Sequence, residues 1–154
     1  MLNLSSYQIG PVLFISLDCG EDKPDSDYSY FGLVKFEDYR LEQKQWLEEL
    51  VETERFKNAP FKVVVIHIPP KGTWHSNFDI EDKLLPPLKD KGIDLMVCGH
   101  THRYEYIQAN KIADFPILIN DHNSYLHLEA SESELIVSHK GLDNTVKNSF
   151  KFRK

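Results

Sequence analysis

The chain is 154 residues long, 41% apolar and 12% aromatic, the composition of one folded globular domain with a sizeable core and not of a disordered segment. Its formal net charge of −6 argues against the basic stripe that a nucleic-acid surface needs, and no apolar run reaches the roughly 20 residues of a membrane span. Phosphate substrates are not excluded, because bound cations reverse a local negative field.

The first residues, Met1-Leu2-Asn3-Leu4-Ser5-Ser6, lack the basic and apolar regions of a secretory signal. A soluble chain is expected, with the compartment of the full-length protein left open. Tyr7 to Asp18 reads as two strands around Gly10-Pro11, the second of them the continuous apolar run Val12-Leu13-Phe14-Ile15-Ser16-Leu17. Such runs are buried on both faces. Gly20 to Tyr30 is a polar loop. Phe36 to Phe56 is a helix with Phe36, Tyr39, Gln43, Trp46, Leu47, Leu50 and Val51 inward and Glu48, Glu49, Glu52 and Glu54 largely outward.

Phe61 to Ile66 is the next buried strand, followed by the loop Pro69-Pro70-Lys71-Gly72. Asp79 is expected to cap a short helix that Pro86-Pro87 interrupts and Gly92 ends. Ile93 to Cys98 is a strand, and from Tyr104 onward the pattern is strands only. Alternating strands and helices followed by a run of strands make a mixed α/β chain. Cys19 and Cys98 each end an apolar strand and form no Cys-x-x-Cys pair. They are expected to be buried free thiols and not zinc ligands.

The chemistry concentrates at strand ends. His67 ends one apolar run, and Gly99-His100-Thr101-His102 follows another. In open α/β sheets ligands bind beyond the carboxyl ends of the strands, so three imidazoles are expected at one sheet edge, with Gly99 allowing a tight turn. Imidazole is the commonest protein metal ligand. Asp18 ends a strand near the same edge and is assigned a hydrogen-bonding role in its loop. His122, His127 and His139 carry no motif and are read as structural or exposed.

The run Val63 to Pro70 with its strand-end His67, the Gly99-His100-Thr101-His102 motif, the stretch Leu17 to Asp25 and the extension His102-Arg103-Tyr104-Glu105 resemble the calcineurin-like metallophosphoesterases. The likeness is strongest to the branch close to the purple acid phosphatases, and it covers nearly the whole chain. It implies an α/β/β/α sandwich of mixed sheets flanked by helices. By the same resemblance His67 and His100 bind one metal and His102 binds another. The family holds two cations (Fe, Mn, Zn or Ni) that clamp a phosphate ester and generate a hydroxide nucleophile, as Ser/Thr phosphatases do. Trp74 and His75, in the loop after His67, are the implied substrate-pocket residues.

The family's Asp-x-His, Gly-Asp-x-x-Asp and Gly-Asn-His motifs are absent from this sequence. Residues 1–154 are therefore expected to be a partial domain, the C-terminal half. Three neutral histidines do not balance two cations, so at most one tightly bound metal is expected per chain. Two readings follow. In one the chain is the C-terminal part of a metal-dependent phosphoesterase, with weak or no activity alone. In the other it is a truncated non-catalytic module that binds metal or a partner and dimerises through the face that the missing half would cover. A cupin-like barrel using His100, His102 and Glu105 is disfavoured by the early α/β alternation.

Overall fold

The computed structural model describes residues 5–154. Four apolar segments form the middle of a six-stranded sheet: β2 (Val12–Ser16), β3 (Phe61–Val65), β4 (Leu95–Cys98) and β6 (Ile117–Ile119). They run parallel to one another. The hairpin partner β1 (Ser5–Ile9) and the short β5 (Glu105–Ile107) close the two edges antiparallel, giving the order β1-β2-β3-β4-β6-β5. The last three strands, β7 (Ser124–Ala130), β8 (Glu134–Gly141) and β9 (Val146–Arg153), form a separate antiparallel meander.

Alternation along the parallel strands divides the core in two. Leu13, Ile15, Val64, Met96, Ile117 and Ile119 face the helical layer, where Leu47, Leu50, Ile80, Leu84 and Leu88 meet them. Val12, Phe61, Val63, Leu95 and Leu118 face the second sheet, where Leu135 and Val137 close the layer. Helix, sheet and sheet are thus stacked, and both faces of the parallel strands are dry, as parallel sheets require. Among the described residues no helix is long and apolar enough to cross a membrane.

The helix expected over 36–56 is two helices, α1 (Phe36–Leu50) and α2 (Glu54–Asn58). Thr53 divides them: it is extended, and its hydroxyl accepts the Phe56 N–H at 3.2 Å as an N-cap. The cap of α1 also comes from elsewhere. Lys35 at the N-cap position makes no side-chain bond. Instead Asp25, in the preceding loop, accepts the Phe36 and Glu37 N–H groups at 2.9 and 3.2 Å.

Asp79 is not an N-cap. The helix α3 (His75–Asp79) begins earlier, with Asn77 accepting the Trp74 N–H at 2.9 Å and donating to the Pro69 carbonyl at 2.6 Å. It continues as a π turn over Ile80–Leu84, closed by the Leu85 N–H on the Ile80 carbonyl. A 3-10 turn at Pro86–Leu88 follows, because Pro86 has no N–H with which to extend either ladder.

One surface cluster has a pH signature. Hydrogen bonds from Lys91 and Lys57 hold the Glu52 carboxyl down to about 2. This folded value lies below the ordinary one of 4.5, so the contribution is complete above pH 4.5 and is lost as pH falls toward 2. Chemical denaturation of Glu52→Gln is expected to show a deficit against the parent at pH 6 that shrinks to nothing by about pH 2.

Candidate metal centre

The parallel register sets the site. Val65 pairs with Ser16 on one side and with Val97 on the other. Past the strand ends the ladder continues from the Leu17 N–H to Val65, from Gly99 to the His67 carbonyl and from Asn120 to the Cys98 carbonyl, each at 2.9 Å. Asp18, His67, His100 and Asn120 therefore leave the sheet at one edge.

His67 and His100 meet there. His67 Nε2 lies 3.3 Å from His100 Nδ1, with the rings edge-on at 5.2 Å between centroids and 89° between planes. Two nitrogens bound to one tetrahedral zinc, each at about 2.0–2.1 Å, stand about 3.3–3.4 Å apart. The pair thus has the separation of two ligands of a single ion, and its chemistry suits Zn, Ni or Fe. Burial, and then the neighbouring His67, lower the His100 pKa below the usual histidine value, with Asp22 pulling the other way. The lowered pKa favours the neutral imidazole, the form that can bind a metal.

The backbone makes this approach in an unexpected way. The tight turn anticipated at Gly99 falls on the histidines themselves. His100 and His102 sit in the left-handed region at φ 66° and 58°, and Gly99 does not. Each costs about 1 kcal/mol or more for a residue with a Cβ, although histidine tolerates the region better than most. A Cβ at Gly99 would lie 3.5 Å from His67 Nδ1, an ordinary contact, so packing against the His67 ring does not itself require glycine there.

Trp74 meets His100 edge-on, with centroids 4.8 Å apart and planes at 88°. His75 points elsewhere. Its Nε2 stands 3.2 Å from Glu37 and 3.7 Å from Asp79, while its backbone N–H donates to the Asp22 carbonyl at 3.0 Å. His102 does not join His67 and His100 but lies beside His122, with ring centroids 5.6 Å apart. Among the described residues no three His, Cys, Asp or Glu side chains converge on one point. An ion on His67 and His100 would complete its shell with solvent or with groups from outside them.

The flanking loop is pinned from beneath. Arg40, fully buried in α1, donates to the Cys19 and Glu21 carbonyls at 2.9 and 2.8 Å and to the Asp79 carboxylate at 2.8 Å. Gln43 and Asp18 exchange two further bonds at 2.8 and 2.5 Å. The Asp18 carboxylate accepts the Gly20 N–H at 2.8 Å, the local role assigned to it above. Cys19 and Cys98 are buried and free. Burial raises both thiol pKa values. Glu105 pairs with Lys71 on the edge strand of an open sheet, which removes the barrel reading.

His139 is 2% exposed, stacks on Tyr104 at 4.2 Å and is contacted by the Asn148 amide at 3.1 Å. His127 contacts Lys140 at 3.1 Å on the second sheet. Both are structural. His122, which carries no motif, lies past the end of β6, next to β4 in the sheet, and that pairing brings it beside His102.

A family model described as calcineurin-like phosphoesterase matches residues 11–104. Among solved structures, a purple acid phosphatase from yellow lupin (Lupinus luteus) seeds matches with a TM-score of 0.70 at 16% identity, over 99% of this chain and 33% of that one. The chain therefore spans about a third of the length of that structure. No curated protein matches.

Proposed function

The chain belongs to the calcineurin-like phosphoesterase family, and from that premise we propose that it contributes the imidazole side of a metal-dependent site that hydrolyses phosphate esters. The observation that carries this reading is the 3.3 Å approach of His67 Nε2 to His100 Nδ1 at the sheet edge. In the proposal His67 and His100 hold one ion, the only one bound tightly by this chain, and His102 serves a second. When bound, such cations polarise the phosphoryl oxygen and supply a hydroxide nucleophile near neutral pH. The family motifs that carry a bridging carboxylate and an asparagine are absent from these 154 residues, and in the proposal the chain acts as the histidine-bearing part of the domain.

The chain's own groups orient and shield. Trp74 flanks the site on the His100 side. In the proposal His75 serves the substrate side through its loop: its backbone N–H donates to the Asp22 carbonyl, while its ring Nε2 faces Glu37 and Asp79. Arg40 holds the floor of that segment.

Binding of inorganic phosphate to the zinc-loaded chain, followed by calorimetry, tests the reading. Phosphate is expected to bind only with metal present, and His100→Ala is expected to remove both that binding and any hydrolysis of an aryl phosphate. Equal phosphate binding without metal, or binding indifferent to His100→Ala, would contradict it. The non-catalytic, dimerising reading has one observation in its favour. Tyr28, Phe31 and Leu33 project from the loop before α1 at 88, 82 and 85% exposure, and light scattering decides whether that surface pairs.

A further inference from the structure

His102 has a partner that the family motifs do not supply. After β6 the chain makes a tight turn. Asp121 accepts the Asn123 N–H at 2.8 Å and the Ser124 hydroxyl at 2.7 Å, and the Asn120 amide donates to the Ser124 carbonyl at 3.0 Å. The turn presents His122 to solvent, with its ring 5.6 Å from that of His102 and tilted 53° to it. Two rings bound to one tetrahedral ion, at about 2.0–2.1 Å per nitrogen, have centroids about 5 Å apart. A small rotation of exposed side chains closes the difference.

The hydrogen-bond partners of His122 suit the tautomer of a metal ligand. Its Nδ1 lies 3.3 Å from the His102 carbonyl oxygen. A carbonyl only accepts, so Nδ1 carries the hydrogen. Its Nε2 lies 2.9 Å from the Asn123 amide nitrogen, which donates, so Nε2 bears a lone pair. Metal-bound histidines have this arrangement: one ring nitrogen donates to a carbonyl or carboxylate, and the other is free for the ion. The only bond a cation would displace is that of an exposed amide, which water replaces. The backbone points the same way, since His102 holds a left-handed conformation at φ 58°.

We propose that His102 and His122 form a second imidazole pair that chelates a borderline transition-metal cation, zinc or nickel, separately from the His67–His100 pair. This rests on the reading of His102 as a ligand. It supplies the second protein ligand that His102 lacks, drawn from the turn after β6. With two imidazoles and water the site is the weaker of the two.

The test is a zinc titration of the chain with 15N-labelled histidine, following each ring nitrogen by long-range 1H–15N NMR. His67 Nε2 and His100 Nδ1 are expected to shift first. His102 and His122 Nε2 should then shift together at higher zinc, with His122 Nδ1 still protonated. In His122→Ala the His102 response should weaken at least about tenfold while the His67 and His100 responses are unchanged. His122 lies at the surface, and an unchanged amide spectrum elsewhere would show that the fold is intact. A His102 response without His122, or one untouched by His122→Ala, would overturn the pair. Shifts at His102 and His122 with none at His67 and His100 would support the pair and overturn the proposed primary site instead.

Discussion

Replacing His67 and His100 together by alanine is expected to weaken the tighter zinc-binding event by more than about 100-fold, measured by isothermal titration against the parent chain. The two rings approach to 3.3 Å, and among the described residues no third His, Cys, Asp or Glu converges with them. The exposure of His67 predicts little loss of fold stability from its removal. Relief of the left-handed backbone at residue 100 is not expected either, because alanine tolerates that region no better than histidine. A variant that folds normally and still binds zinc as the parent does would place the ion elsewhere.

Arg40→Ala is the largest stability change expected, a loss of about 3–5 kcal/mol by urea denaturation, equivalent to roughly 10 °C in Tm for a domain of this size. The guanidinium is fully buried and meets three acceptors: two carbonyls of the 19–21 segment and the Asp79 carboxylate. Truncation strands all three, and Lys83 reaches only the other oxygen of Asp79, at 2.5 Å. Arg40→Lys should recover little, since an ammonium cannot reproduce the planar fork. The effect should extend to function, because the segment so held runs to Asp22, which is bonded to the Trp74–His75 loop.

Strand ends were legible in the sequence because apolar β-branched runs and period-two alternation are local signals. They placed His67 and His100 at one edge, and residues 36–50 on a helix whose buried stripe includes Gln43, Leu47 and Leu50. Interactions between segments distant in sequence left no such trace. Nothing near Lys35 announces that Asp25 caps α1, and a charged Arg40 among core positions reads as solvated until its three partners are known. A tight turn is expected at Gly99 because glycine turns at least cost, whereas the left-handed residues are His100 and His102. His122 was set aside for lack of a motif, since its proximity to His102 depends on β6 pairing beside β4. The helix end was misplaced because amphipathic spacing persists through Thr53, where a cap and not a change of pattern makes the break.

X-ray absorption at the zinc edge, on the chain loaded with less than one equivalent of zinc, addresses the central claim most directly. The account predicts two imidazole ligands at about 2.0–2.1 Å with oxygen completing the shell, and their loss in His67→Ala/His100→Ala. A shell of oxygen alone, or sulfur at about 2.3 Å from Cys19 or Cys98, would contradict it.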